Sequence, residues 1–147
     1  MLASRLRNRV DTWHARVGSS QRAGFTSRVL IRFTIWLACA AIVFAVDVLT
    51  KASSHPIVAY NHAHTPTVVL FLVGLLLFTL GMLHSNVLAL GSGLMFGGLL
   101  GNGGELLRYG YASDWIHVGH YLTNVADLAG GLGLLCCFVG YLLPRRQ

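Results

Sequence analysis

Four of the five acidic residues in this sequence are found in or beside strongly apolar segments, where charged side chains are unusual. They are Asp47, Glu105, Asp114 and Asp127. An ionised side chain costs several kcal/mol in hydrocarbon, so carboxylates in such segments are candidates for function. Asp47 also has a structural explanation, because Lys51 follows at the spacing at which helical side chains form ion pairs.

Two carboxylates that share one site provide an acid and a base side by side, because they cannot both ionise easily and one keeps a proton. Such a pair can activate water for attack on an amide carbonyl and can protonate the leaving nitrogen, as in aspartic proteases. The sequence contains no G-x-S-x-G motif that would supply a serine nucleophile. Its cysteines, Cys39, Cys136 and Cys137, lie inside apolar segments and are interpreted as small packing residues.

The segments that carry these acids are predicted to be membrane-spanning helices. The chain is 54% hydrophobic and 11% charged, whereas soluble domains are about 25% charged. Apolar runs at 33–50, 67–83, 86–107 and 122–143 each approach the ~20 residues that a spanning helix needs. The sequence therefore predicts an all-α integral membrane protein of four transmembrane helices with short loops. Its domains would be a basic tail (1–32), a transmembrane domain (33–143) and a basic C-terminus (144–147).

All but two of the eleven basic residues flank the apolar segments, and the exceptions are Lys51 and Arg108. The flanking set is Arg5, Arg7, Arg9, Arg16, Arg22, Arg28, Arg32, Arg145 and Arg146. By the positive-inside rule both termini are predicted to be cytoplasmic, and the loops 51–66 and 108–121 to face outward. The four acids would then lie at similar depth near the outer face. The placement of the basic residues at the two ends of the chain argues against nucleic-acid binding. The N-terminal tail is interpreted either as an amphipathic helix on anionic lipid or as a disordered segment.

Three blocks in the second half of the chain, with one in the first span, resemble the bacterial lipoprotein signal peptidases (signal peptidase II). Residues 97–116 read GGLLGNGGELLRYGYASDWI and 122–131 read LTNVADLAGG. The family pattern is G-G-x-x-G-N-x-x-D-R, then G-x-V-x-D-F, then N-x-A-D, with D-x-x-[ST]-K on the first span. The matching residues are Gly97, Gly98, Gly101, Asn102, Gly110, Asp114, Asn124, Ala126, Asp127, Asp47, Thr50 and Lys51.

The resemblance implies an intramembrane-type aspartic endopeptidase that needs no cofactor and resides in the bacterial inner membrane. Its substrates would be lipid-modified prolipoproteins, cut just before the diacylglyceryl-cysteine. The matching positions make Asp114 and Asp127 the catalytic pair. Asn102 and Asn124 would support that pair, and Asp47 and Lys51 would support the site from the first span.

The chain departs from the family pattern at two places, and both concern substrate binding. Glu105-Leu106 stands where the family has D-R, so the carboxylate is kept, and Arg108 is the nearest arginine that could replace the lost one. The first outer loop is short. The family usually carries an N-x-G-A-A-F segment there, with a small β-structure over the site; in this chain Asn61 matches the family's asparagine, but the G-A-A-F segment is missing. These differences predict a divergent member of the family.

Two other functions are compatible with the sequence. His62, His64, His117 and His120 are predicted on the outer side with spacings that metal sites use, so an outward-facing metal-binding protein is one alternative. Interfacial histidines in wet loops explain the same pattern without a metal. The second alternative is a non-catalytic membrane binding or assembly protein that keeps the fold without the activity.

Overall fold

The structure is a computed structural model that describes residues 2–54, 59–61 and 84–142, together with 69, 73–76, 78 and 81. It divides into two compact units, Met1–Ile31 and Arg32–Gln147. The helices and strands in chain order are α1 (Leu2–Ser53), β1 (Ala59–Asn61), α2 (Asn86–Tyr109), β2 (Ala112–Asp114), β3 (Ile116–Val118), β4 (Tyr121–Thr123) and α3 (Val125–Leu142).

Three helical segments in the described part of the chain are long and apolar enough to cross a membrane: Gly24–Ser53, Asn86–Tyr109 and Val125–Leu142. They correspond to the predicted first, third and fourth spans. The predicted second span, 67–83, lies mostly outside the described residues, although those described within it are helical. The count of four spans therefore stays a prediction.

Helix α2 packs against both other spanning helices through different faces, and glycines make both contacts close. A Cβ at Gly93 or Gly97 would lie 2.6 Å from a backbone oxygen of α1, that of Trp36 or Ala40. A Cβ at Gly91 would lie 2.7 Å from the backbone oxygen of Gly133 in α3. Close backbone approach at small residues is characteristic of helix pairs in membranes, and half of the apolar α2 segment is buried.

The outer faces of α1 and α3 remain strongly apolar. Leu37, Ile42 and Leu49 on α1, and Leu135 and Phe138 on α3, are 51–67% exposed. An aqueous solvent would make this exposure costly, whereas lipid chains are as apolar as the side chains themselves. On the opposite face of α1, the buried residues Trp36, Ala40, Val43 and Asp47 recur at helical spacing. Asp47 therefore lies on the face that packs inside the protein.

At one end of the helices, aromatic and polar contacts join segments that are distant in sequence. The Trp36 ring lies 4.0 Å from that of Phe78 and 4.9 Å from that of Phe96, centroid to centroid. Arg32 donates from Nε to Oδ1 of Asn86 at 3.4 Å, which puts the start of α2 beside the start of the first span. Ser85 caps the N-terminus of α2, and its hydroxyl accepts from the Leu88 N–H.

The protein is mostly helical, as predicted, but at the other end the described connections between helices contain four strands of three residues each. Strand β1 pairs antiparallel with β2, with Ala59 opposite Asp114 and Asn61 opposite Ala112. A small β-structure is therefore present although the G-A-A-F segment is not. Strands β3 and β4 form a hairpin across Gly119, whose φ of 61° suits the first position of a tight primed turn.

The boundaries of two helices also differ from those predicted. The last span begins at Val125 rather than 122, because Tyr121–Thr123 pairs as a strand and Asn124 caps the helix. Helix α2 continues to Tyr109 and ends where Gly110 adopts a left-handed conformation, with φ of 79°, and donates to the Leu106 carbonyl. The basic N-terminal segment is helical along its backbone from Leu2.

Candidate active site

The polar residues that the sequence singled out gather where the C-terminal ends of α1 and α2 meet the N-terminal end of α3. Two glycines of α2 allow this convergence. A Cβ at Gly98 would overlap the backbone oxygen of Ala126, and one at Gly101 would overlap Oδ2 of Asp47. Glycine at these two positions therefore lets the first turn of α3 and the Asp47 side chain approach the backbone of α2.

Lys51 lies at the centre of the polar contacts that support this site. Its ammonium Nζ lies 2.8 Å from Oδ2 of Asp47 and 3.0 Å from Oε2 of Glu105, and it donates to Oδ1 of Asn102 at 2.7 Å. Two carboxylate oxygens therefore pair with the ammonium charge, and the amide oxygen of Asn102 accepts its hydrogen bond. The side chain of Lys51 is only 6% exposed and that of Asp47 is fully buried. The sequence-based pairing of Asp47 with Lys51 is thus present, and Glu105 joins it.

The second oxygen of Asp47 holds the start of α3. Asp47 Oδ1 accepts from the backbone N–H of Ala126 at 2.9 Å. The first N–H groups of a helix have no partner within that helix, and a carboxylate near them also interacts favourably with the helix dipole. Asp47, itself a residue of α1, therefore links α1 directly to the segment of α3 that carries Asp127.

Asn124 is both the N-cap of α3 and a donor to the candidate catalytic group on β2. Its Oδ1 accepts from the backbone N–H of Asp127 at 2.9 Å. Its Nδ2 donates to Oδ1 of Asp114 at 2.6 Å, and it also lies within hydrogen-bond distance of Oδ1 of Asn102 and the carbonyl of Ser113. The side chain is fully buried, so its orientation is fixed by these partners.

The orientation of Asn102 follows from its neighbours. Its Oδ1 accepts from Lys51 and from Asn124, and neither of these donors could bond to an amide nitrogen in that place. The amide nitrogen is thereby directed to Asp127, where Nδ2 donates to Oδ1 at 2.8 Å. A continuous chain of hydrogen bonds thus runs from Lys51 through Asn102 to Asp127.

The two candidate catalytic carboxylates share this asparagine pair and differ in exposure. Asp114 is 6% exposed, whereas Asp127 is exposed and receives a second hydrogen bond from Thr123 Oγ1 at 3.3 Å. Burial raises the pKa of Asp114, and the negative charges of Asp127 and Glu105 raise it further. The hydrogen bond from Asn124 and the charge of Lys51 oppose this rise without cancelling it.

Sequence reasoning missed Ser113, which fastens the strand that carries Asp114. Glu105 accepts from the Ser113 N–H at 2.8 Å and from its hydroxyl at 3.0 Å. Glu105 therefore joins Lys51 on α1 to the residue next to Asp114. The signal available in the sequence was a hydroxyl side chain directly before the aspartate, and the same holds for Thr123 before Asn124. A single hydroxyl residue is too common to be singled out without contacts.

The structure does not bring every predicted site residue to this cluster. Arg108 is exposed, and its guanidinium carbon lies 5.2 Å from the centroid of the Tyr109 ring. Asn61 lies in β1, opposite Ala112 in the strand that carries Asp114, and its side chain is outside the described part of the structure. The arginine of the family pattern is thus not replaced at this cluster by Arg108.

The histidines of the metal-binding alternative are only partly described. His117 and His120 are exposed on the β3–β4 hairpin, and His62 and His64 lie outside the described residues. Among the residues that the structure describes, no group of three or more His, Cys, Asp or Glu side chains is arranged to hold a metal ion.

Comparisons with known proteins point to one family. The family model described as signal peptidase (SPase) II matches residues 55–143, more than half of the chain. A bacterial membrane enzyme solved by the in meso method at 1.9 Å is 18% identical, with a TM-score of 0.57 over 73% of this chain and 92% of that chain. A second, solved at 2.3 Å, is 16% identical, with a TM-score of 0.59 over 73% and 87%. At such identities the two structures support the fold alone. No curated protein matches the sequence.

Proposed function

Because the chain belongs to the signal peptidase II family of membrane proteases that process lipoprotein precursors, we propose that it is an aspartic endopeptidase of the bacterial inner membrane. Its substrates would be lipid-modified prolipoproteins, and the cut would fall just before the diacylglyceryl-cysteine. Asp114 and Asp127 would be the catalytic pair. The observation that carries the proposal is the asparagine pair, Asn102 and Asn124, whose amides bond to both carboxylates.

The difference in exposure between the two carboxylates supports different roles for them. Asp114 is buried and has a raised pKa, so it is the member of the pair whose protonated form is favoured. Asp127 is exposed, so water can reach its carboxylate. Asp114 would therefore act as the acid and Asp127 as the base.

The reaction then follows the general course of acid–base amide hydrolysis. Asp127 takes a proton from water as the water oxygen attacks the scissile carbonyl carbon, and Asp114 gives its proton to the carbonyl oxygen. The tetrahedral intermediate collapses when its C–N bond breaks. The proton held by Asp127 passes to the leaving nitrogen, and one hydroxyl of the intermediate returns its proton to Asp114. Both carboxyl groups end in their starting state.

The remaining polar residues would keep the pair in place. Lys51 orients Asn102, which in turn bonds to Asp127. Glu105 holds the backbone N–H beside Asp114 through Ser113. Catalysis of this kind requires its groups to stay within about 0.5 Å of their working positions. The partly buried network of hydrogen bonds and ion pairs around Lys51 and Asn102 supports such precision.

We further propose that four helices cross the membrane, with both termini in the cytoplasm and the site near the outer face. The contact of Arg32 with Asn86 supports this arrangement, because it joins the basic side of the first span to the start of α2. Membrane lipids would surround the apolar outer faces of the helices. The lipid anchor of the substrate would approach through the same medium.

A cleavage assay tests the proposed activity directly. The purified chain in detergent is incubated with a lipidated prolipoprotein peptide, and the products are identified by mass spectrometry with and without a metal chelator. The proposal predicts cleavage just before the lipidated cysteine, unchanged by the chelator. Loss of cleavage with chelator would favour the metal-dependent alternative. Intact substrate, with a folded protein, would favour a non-catalytic binding or assembly protein.

A further inference from the structure

The N-terminal part of α1 has an apolar stripe that the protease chemistry does not use. Its backbone is helical from Leu2. The apolar residues there follow each other at steps of four, four, three and four residues: Leu2, Leu6, Val10, Trp13 and Val17. At about 100° per residue, these five positions fall within an arc of roughly 80° on the helix.

Basic residues occupy both edges of this stripe. Arg9, Arg16 and Arg5 lie about 20°, 40° and 60° beyond one edge of the stripe, and Arg7 lies about 60° beyond the other edge. The positions opposite the stripe are small or polar: Ser4, Asn8, Asp11, Thr12, Ala15 and Ser19. A narrow apolar stripe with arginines along its edges and polar residues opposite is the pattern of helices that lie in a membrane interface.

We propose that the segment Leu2–Val17 binds an anionic lipid surface, with the apolar stripe toward the acyl chains and the flanking arginines at the headgroups. Charge supports this partner, because the segment carries four arginines and one aspartate, Asp11. Arginine side chains can place their apolar stems along the stripe while their charged ends reach phosphate. Gly18, Ser19 and Ser20 follow directly, so the apolar stripe ends at Val17.

Attachment to a spanning helix makes weak binding sufficient. The lipid surface belongs to the membrane in which the chain is already embedded, so the segment binds at a high effective concentration. Each arginine near an anionic surface contributes about 1 kcal/mol, a factor of about five in association. Anionic lipid would thereby hold the segment at the membrane, and neutral lipid would hold it more weakly.

Spin labelling of the full-length chain tests this proposal. In a variant lacking the native cysteines, a nitroxide is attached to a single cysteine at Val10, within the stripe, or at Asn8, opposite it. Each protein is reconstituted into phosphatidylcholine vesicles with or without phosphatidylglycerol. Collisions with oxygen, which concentrates in lipid, and with a water-soluble nickel chelate are then compared. A label at Val17 repeats the stripe measurement should the Val10 variant fold poorly.

The proposal predicts that the Val10 label is reached mainly by oxygen and the Asn8 label mainly by nickel when phosphatidylglycerol is present. Arg9→Gln should lower the ratio of lipid-associated to water-exposed stripe label about fivefold. Arg22→Gln, which removes the same charge outside the stripe, should lower it less. Equal access of nickel to both labels would overturn the proposal in favour of a solvated segment. Protection of the stripe from both reagents, with spin–spin broadening, would overturn it in favour of a contact between two copies.

Discussion

The close contact between α2 and α3 at Gly98 makes Gly98→Ala an informative change. The added Cβ would overlap the backbone oxygen of Ala126 and would lie 3.1 Å from its carbonyl carbon. Both atoms are backbone, so no side chain can rotate away. Because optimal carbon contacts are 3.5–4.0 Å, α3 would have to move by roughly 1 Å at its first turn. That turn carries Asp127 and the N–H of Ala126 that Asp47 holds.

Two opposing free-energy changes set the expected size of the effect. Overpacking costs about 1–3 kcal/mol, while replacing glycine by alanine within a helix gains roughly 0.5–1 kcal/mol. Gly104 on α2 and Gly130 on α3 have no atom within 4 Å of a Cβ, so alanine there gives the gain alone. The difference in unfolding free energy between Gly98→Ala and these controls therefore isolates the packing cost. A 1 Å misplacement of catalytic groups lowers turnover by about a hundredfold.

The measurements are reversible unfolding in detergent and kcat/KM on a lipidated peptide. Gly98→Ala should be about 1–3 kcal/mol less stable than Gly104→Ala and Gly130→Ala, with most of its activity lost. Equal stability and activity in all three variants would show that α2 and α3 are not packed as described. The position of Asp127 would then need another explanation.

Three further predictions follow from the polar cluster and the topology. Lys51→Met should destabilise the protein by about 3–5 kcal/mol in unfolding assays, because it leaves the buried Asp47 charge without its cation. Adding Asp47→Asn to this variant should recover part of the lost stability. No recovery would contradict the pairing of Asp47 with Lys51. The raised pKa of Asp114 means that this group holds its proton to higher pH than an ordinary carboxyl group. On the alkaline side of the pH profile, activity should therefore fall as pH rises through the raised pKa of Asp114. Replacing Asp127 by Asn should lower that pKa, measured from the carboxyl infrared band, and an upward shift would refute the electrostatic coupling. Cysteines at Ser53 and Tyr111, without the native cysteines, should react with impermeant reagent from outside intact cells, and protection of both would reverse the proposed orientation.

The sequence predicted most of the structural features that a membrane environment requires. Apolar runs located three helices that the structure describes, and the expected multi-pass membrane protein of the signal peptidase II family is confirmed. The pairing of Asp47 with Lys51 could be predicted because it lies within one helix, where spacing determines proximity. The contact of Lys51 with Glu105 could not, since it depends on how closely α1 approaches α2.

The strands were harder to predict for a different reason. Strands β1 and β2 have three residues each, and they form strands because they pair with each other rather than because of their own sequences. Short strands show no reliable alternation of apolar and polar residues, so pairing across a long separation leaves little local signal. Ser113 was missed in the same way, because its contact with Glu105 exists only once the strand is in place. The position of Arg108 could not be predicted either, because it depends on the exact end of α2, where Gly110 terminates the helix.

The cleavage rates of Asp114→Asn, Asp127→Asn and the double variant test whether these two aspartates form a catalytic pair. Asparagine keeps the shape of each side chain and removes its exchangeable proton. Because residues that act as a unit are not additive, each single variant should lose cleavage completely, and the double variant should be no worse than either. The folded proteins should remain in the membrane in amounts comparable to the parent. Substantial cleavage by either single variant would contradict a catalytic pair formed by Asp114 and Asp127.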